Sequence, residues 1–298
     1  MSKNWGLVSV NGHIVHTDDA KISVYDRGFL FGDSLYEATL AVNGIPSFWK
    51  EHWERLLQTA DLIGMPVTYS ENEIKKYCKN ILEKTIFEKA YLRIILTRGN
   101  GPVNLAPPLD YSEIKNNLVI YSIPINHPKD WLDVGVKYAI SSVERNAPKA
   151  LNPKAKTGNY LNNQLALQEA KKRGFLDAIM LNRDGFITEG TTNNFWMIKD
   201  KVIYTPAARN GLLLGVTRKN LFHLCQKHNI SCVESDITVE MALMADEAFF
   251  TSATKSVVPI VQLDHWQIGN GKPGVLTLKV RELYENFLSD DVKSFKWN

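Results

Sequence analysis

The chain is short of cysteine, of charge of one sign and of long apolar runs, and each shortage closes off a class of function. Cys78, Cys225 and Cys232 are the only cysteines in 298 residues. They are too few and too scattered for a disulfide framework or a zinc site, and they point to a reducing compartment. The 35 Lys and Arg against 32 Asp and Glu leave a net charge of +3, with the signs interspersed, so no electrostatic field is set aside for nucleic acid. No apolar run is long enough to span a bilayer, and Met1-Ser2-Lys3-Asn4-Trp5 lacks the apolar core of a signal peptide. These features read as a cytoplasmic protein with neither membrane nor nucleic acid as partner. There is no GxSxG elbow and no metal-spaced histidine pair, so no metal site is expected. Asn100-Gly101-Pro102 and Gly269-Asn270-Gly271 are not dinucleotide or P-loop fingerprints. What remains is 44% hydrophobic and 22% charged residues, the composition of a globular protein. At this size about three-quarters of the unfolded surface is buried on folding, enough for two domains.

Asn11-Gly12 and Asn43-Gly44 predict hairpins, so the chain opens in antiparallel sheet. From Glu51 the period becomes helical, with Trp53, Leu56, Leu57, Ala60 and Ile63 on one face and Gly64 and Pro66 ending the run. A second helix is expected over Glu73 to Phe87, then strands over Tyr91 to Thr97 and Asn117 to Ile123. The two prolines between Pro124 and Trp131 suggest a connection. The reading is α/β: a small α+β N-terminal domain at 1–125, a linker at 126–132, and a larger mixed α/β C-terminal domain at 133–298. In the latter, strands are expected at Val134 to Ser142, Asp177 to Leu181, Gly185 to Thr188 and Asn193 to Ile198. Helices are expected from Tyr160 to Arg173, Thr217 to His228, near Val239 to Met244, and Gly274 to Leu288.

Four features carry possible chemistry, each with a plainer reading. Lys149, Lys154 and Lys156 precede the Tyr160 helix. A desolvated lysine there suits Schiff-base chemistry, with Gly158 admitting a ligand and Asn159 capping the helix; a solvated basic loop explains the same residues. Glu189, among small polar residues beside Gly190, can face a cationic ring nitrogen or be an exposed turn acid. Leu214-Gly215-Val216-Thr217-Arg218 leads into a helix and outlines a phosphate cradle, although Thr217 as an ordinary N-cap explains it too. Arg55 can hold an anion or pair with Glu51 one turn earlier. Arg93, on a strand face with Tyr91 and Ile95, needs an anionic partner, either a ligand or a protein acid.

In their order along the chain these features resemble the class IV pyridoxal-phosphate aminotransferases. Asp26-Arg27-Gly28-Phe29-Leu30-Phe31-Gly32-Asp33-Ser34-Leu35-Tyr36-Glu37 is similar to the opening of the D-amino-acid and branched-chain enzymes. His52-Trp53-Glu54-Arg55-Leu56 matches an H-x-x-R-L helix, Ile187 to Gly190 a T/S-E-G segment, and Gly215-Val216-Thr217-Arg218 a G-I-T-R turn. The resemblance implies fold type IV, pyridoxal 5'-phosphate as cofactor, and Lys156 as the catalytic Schiff-base lysine. It further implies Glu189 on the pyridine nitrogen, with Arg55, Val216 and Thr217 on the phosphate. Tyr160 would touch the cofactor's phenolic oxygen, although one glycine of the family's G-G-N-Y is missing. Ala253 stands where many relatives have a phosphate-binding threonine, and Thr254 is named in its place. Lys255 receives no role. Family members are homodimers with sites at the interface, which assigns Tyr36 to the neighbouring site.

For substrates, Ala90-Tyr91-Leu92-Arg93 resembles the Y-x-R strand with which branched-chain enzymes receive carboxylates. This favours L-branched-chain amino acids with 2-oxoglutarate, with Tyr36, Tyr91 and Arg93 binding substrate. The D-amino-acid enzymes have an R-x-H trap after T-R-G; here Thr97-Arg98-Gly99 leads to Pro102-Val103-Asn104-Leu105. A D-amino-acid aminotransferase and an aminodeoxychorismate lyase are the alternatives, and a non-catalytic ligand-binding relative is the alternative of another class.

Overall fold

A computed structural model describes residues 6–105, 114–128 and 130–297. Residues 1–5, where the sequence shows no signal-peptide core, and Lys129, within the expected linker, lie outside the described residues. The chain divides into two units. One is Met1–Asn126 with Ala155–Asn159 and Ser289–Asn298; the other is His127–Lys154 with Tyr160–Leu288. Ala155–Asn159 and Ser289–Asn298, which the sequence reading places in a domain at 133–298, thus lie with the first unit.

The first unit contains β1 (Leu7–Val10), β2 (His13–His16), α1 (Arg27–Phe31), β3 (Ser34–Val42), β4 (Ile45–Pro46), α2 (Trp49–Leu62), α3 (Glu71–Thr85), β5 (Lys89–Thr97) and β6 (Leu118–Pro124). The strands form a six-stranded antiparallel sheet in the order β2-β1-β6-β5-β3-β4. Both Asn-Gly pairs turn hairpins, with Asn11, Gly12, Asn43 and Gly44 all at positive φ. Ser70 caps α3 in a reciprocal pair with Glu73.

Helix α2 begins at Trp49 rather than Glu51, and its buried face is Trp49, His52, Leu56, Thr59 and Ala60, while Leu57 is exposed. The early start follows from long-range partners absent from local pattern. Phe48, at a φ of 50°, donates its N–H to Asp291 at 2.5 Å, and Trp49 packs against Phe295 and Trp297. Below α2 and α3, Leu35, Leu56, Ile74, Ile81, Leu92, Leu96, Leu118 and Ile120 form the core.

The second unit contains α4 (Asp130–Asp133), β7 (Val136–Ile140), α5 (Leu161–Lys172), β8 (Asp177–Leu181), β9 (Ile187–Gly190), β10 (Asn194–Lys199), β11 (Val202–Pro206), α6 (Val216–Lys227), β12 (Cys232–Ser235), α7 (Val239–Leu243), β13 (Glu247–Ser252), β14 (Ser256–Leu263), β15 (Trp266–Gln267) and α8 (Val275–Ser294). The last residues of α8, from Ser289, belong to the first unit. A mixed sheet runs β12-β11-β10-β13-β14-β7-β8-β9, with β15 beside β14. Strands β11 to β15 are not marked in the sequence. Asp200 and Lys201 make the turn from β10 to β11, both at positive φ, without an Asn-Gly signature. β13 and β14 are buried on both faces, so apolar alternation is absent. Among the described residues no helix is long and apolar enough to cross a membrane.

Gly99, just after β5, has a φ of +102°, and a Cβ there would lie 2.2 Å from the Lys115 carbonyl oxygen. We expect Gly99→Ala to lower stability by about 2–4 kcal/mol, read from the midpoint and slope of urea denaturation. An unchanged midpoint would contradict the backbone placement.

Candidate active site

Alternation along β3 turns Tyr36 to one face of the first unit's sheet and Glu37 to the other. On the Tyr36 face, Arg93 of β5 is the diagonal neighbour, since Tyr36 pairs with Ile95 and Ala38 with Arg93. The Arg93 guanidinium lies 3.8 Å from the centre of the Tyr36 ring, and Nη1 donates to the Tyr91 hydroxyl at 3.1 Å. Among the described residues Arg93 Nε is buried without a hydrogen-bond partner. Burial alone would lower the pKa of Arg93, but the phenols of Tyr91, Tyr121 and Tyr36 outweigh it and raise the value. Among the described residues Arg93 forms no ion pair with an acid, so the protein-acid reading of its partner does not hold.

Lys156 reaches the same face through backbone pairing. Tyr36 N donates to Lys156 O at 3.0 Å and Gly158 N to Ser34 O at 2.9 Å, with a bridge between Leu35 and Thr157. Lys156 Nζ donates to the Tyr36 hydroxyl at 3.2 Å. Lys149 and Lys154 are exposed whereas Lys156 is half-buried, so the solvated-loop reading fails for it. Two neighbours differ from expectation. Asn159 does not cap α5, whose N-cap is Tyr160 without a side-chain bond; its Nδ2 donates instead to Gly32 O at 3.0 Å. Gly158 lies against Ser34, where an added Cβ would stand 2.2 Å from Oγ and turn that hydroxyl aside. Tyr36, assigned by resemblance to a neighbouring subunit, contacts the Lys156 of its own chain.

On the Glu37 face, α2 presents His52 and Arg55, one turn apart. Arg55 Nε and Nη2 donate to the two Glu37 oxygens, each at 2.7 Å, and His52 Nδ1 lies 2.7 Å from Oε2. Arg55 is therefore committed to a buried acid rather than to a surface pair with Glu51. Burial would raise the pKa of Glu37, but Arg55 and His52 hold it far below the usual carboxylate range. Burial pushes the pKa of His52 down, and Glu37 only partly opposes this. Neither Glu37 nor His52 was singled out from sequence; the signal available was an acid inside an apolar strand and a histidine three residues before Arg55.

In the second unit, Glu189 on β9 is a buried acid, not an exposed turn residue. Arg145 Nε donates to its Oε1 at 2.9 Å and Leu213 N to its Oε2 at 3.1 Å. Arg145 also donates to Asn162 Oδ1 at 3.2 Å; within the Lys-rich loop nothing marked it. Helix α6 starts from Gly215 with no side-chain cap. Thr217 is inside the helix, its hydroxyl 3.1 Å from that of Tyr284, so the ordinary N-cap reading does not hold. Thr254 is engaged through its carbonyl, which accepts from His127 Nε2 at 2.9 Å; its hydroxyl takes part in no hydrogen bond among the described residues. Lys255 packs over Trp131 and Phe250, and burial lowers its pKa. Among the described residues no group of three or more His, Cys, Asp or Glu is placed to hold a metal ion.

The profile of the Amino-transferase class IV family matches residues 34–263. The chain belongs to the class IV aminotransferase family. A Methanocaldococcus jannaschii protein bearing the name of a branched-chain-amino-acid aminotransferase is 32% identical over 279 residues, covering 94% of this chain and 95% of its own. The D-alanine aminotransferase of Bacillus licheniformis is 32% identical over 294 residues, covering 96% and 99%. The solved branched-chain amino acid aminotransferase of Escherichia coli has a TM-score of 0.90 at 26% identity, covering 98% of this chain and 97% of that one. The α/β fold is thus that of the class IV aminotransferases, and the enzyme acts on amino and keto acids.

In this aminotransferase the depressed pKa of Glu37 gives a signed expectation. Its folded value lies below the unfolded one, near 4.5, so its stabilisation is complete above that pH and is lost as pH falls below it. We expect Glu37→Gln to lower the unfolding free energy at pH 7 by about 3–5 kcal/mol. The gap to wild type should shrink on acidification below about pH 4.5, measured by urea denaturation across pH. A gap independent of pH would remove the charged role.

Proposed function

We propose that this class IV aminotransferase moves an amino group between an L-branched-chain amino acid and 2-oxoglutarate, with pyridoxal 5'-phosphate as cofactor. What carries the substrate reading is Arg93, a half-buried guanidinium set among three tyrosines with no acid partner among the described residues. Such a charge calls for an anion from outside the chain, and a substrate carboxylate supplies it. Residues of the kinds this cofactor needs are present: in the first unit an amine at Lys156 beside a phenol, and in the second a buried acid at Glu189 and an α6 that begins from a glycine N-cap.

In this reading the Lys156 amine would hold the cofactor and, when free, would act as the base for the proton at substrate Cα. Tyr36 orients its amine. Glu189, paired with Arg145, would face the pyridine nitrogen; Tyr160 would face the phenolic oxygen; Arg55, Val216, Thr217 and Thr254 would receive the phosphate. Tyr91 and Arg93 receive carboxylate. The pyridoxal ring, when bound, accepts the electrons released at Cα. Exposed Val24, Tyr25 and Phe29 in the first unit support a homodimer, because apolar surface of this kind is covered by a partner subunit. A cytoplasmic location rests on the cysteine content alone. A D-amino-acid activity is the second reading, favoured by the Bacillus licheniformis relative.

Borohydride reduction of the purified protein, followed by peptide mass mapping, is expected to place a pyridoxyl adduct on Lys156; none, or one on another lysine, would refute the assignment. Separate L and D donors then decide the substrate. For Arg93→Ala we expect KM for 2-oxoglutarate to rise about tenfold or more while the cofactor adduct is retained. Activity confined to D donors would reject the branched-chain reading.

A further inference from the structure

A carboxylate beside an arginine assigned to a phosphate is a puzzle, because it repels the anion the arginine is there to receive. Glu37 is 2% exposed and still ionised. Its contribution must therefore lie in something other than net charge, and the geometry shows what that is. Glu37 takes Arg55 Nε–H and an Nη2–H on separate oxygens at 2.7 Å, a fork that fixes the plane of the guanidinium and so the directions of its other N–H groups. His52 closes the other side. Among the described residues its Nε2 is buried without a partner, and the ionised carboxylate can only accept, so the ring hydrogen sits on Nδ1 and is donated to Glu37 Oε2. A neutral imidazole there steadies the carboxylate without adding a second cation to the pair.

We propose that Glu37 and His52 are positioning residues that hold Arg55 in one orientation, preset for the phosphate group of the cofactor. This rests on the cofactor assignment proposed above. The pair is neutral overall, so the seat selects phosphate by oriented donors and a small ordering cost rather than by attraction at a distance. Lys156, whose charge acts on His52, is tied to the same helix, its N–H donating to the Thr59 hydroxyl at 3.2 Å.

The test compares the affinity of full-length, cofactor-stripped protein for pyridoxal 5'-phosphate and for pyridoxal, which lacks the phosphate, by visible absorption titration. Wild type is expected to prefer the phosphorylated form strongly. Glu37→Gln should cut that preference about tenfold or more, with pyridoxal affinity unchanged within about twofold, as expected for hydrogen bonds to charged groups. Glu37→Asp keeps the charge but is too short for the fork, and should lose preference as well; His52→Phe should lose about threefold. These two decide the matter if Glu37→Gln does not fold. Equal loss of both ligands would make the cluster merely structural, and an unchanged or increased preference in Glu37→Gln would show charge outweighing orientation; either overturns the proposal. A wild type that binds pyridoxal as tightly as its phosphate overturns the phosphate seat itself, a separate failure of the cofactor reading.

Discussion

The pairing of Ala155–Asn159 along the first residues of β3 is the constraint that fixes where Lys156 stands. Three backbone contacts, at Tyr36, Leu35 and Gly158, fasten a stretch of loop to the edge of β3. A free loop lysine would keep its full rotamer freedom and hydration; Lys156, half-buried there, gives up part of both and gains a phenol as neighbour. The register matters as much as the pairing, since a shift by one residue would replace Lys156 with Ala155 or Thr157 on that face.

The same sheet treats its two arginines oppositely. Arg55 is matched to an acid within the fold, and its charge is settled before any ligand arrives. Arg93 is surrounded by aromatic rings and hydroxyls, which soften a cation without neutralising it. Both lie within one sheet and its covering helix, on opposite faces of a strand pair whose pleat separates them. The contrast divides the work: one arginine is held for shape, the other is held for charge.

Local signals were legible and long-range ones were not. Asn11-Gly12 and Asn43-Gly44 mark their hairpins because the turn needs only two residues of the right kind. Arg93 was singled out because a cation in an apolar strand is conspicuous without any knowledge of its neighbours. Lys156 could not be separated from Lys149 and Lys154 on residue chemistry alone, because its burial is set by a strand 120 positions earlier. Only the family resemblance selected it. The partners of Glu189 and Arg55 were missed for the same reason, with Arg145 and Glu37 44 and 18 positions away. The start of α2 was misplaced because its amino-terminal amide is met by Asp291, 243 positions on.

That last contact bears on synthesis as well as on stability. The helix carrying His52 and Arg55 is emitted early, yet the groups that meet its first turn, Asp291, Phe295 and Trp297, are made near the end. An emerging first unit therefore lacks the partner of the Phe48 amide and part of the cover over Trp49 for most of translation, and it closes fully only when those residues have been made. The unit made first is among the last to be completed, and a stalled or shortened chain would expose the indole that a finished one covers.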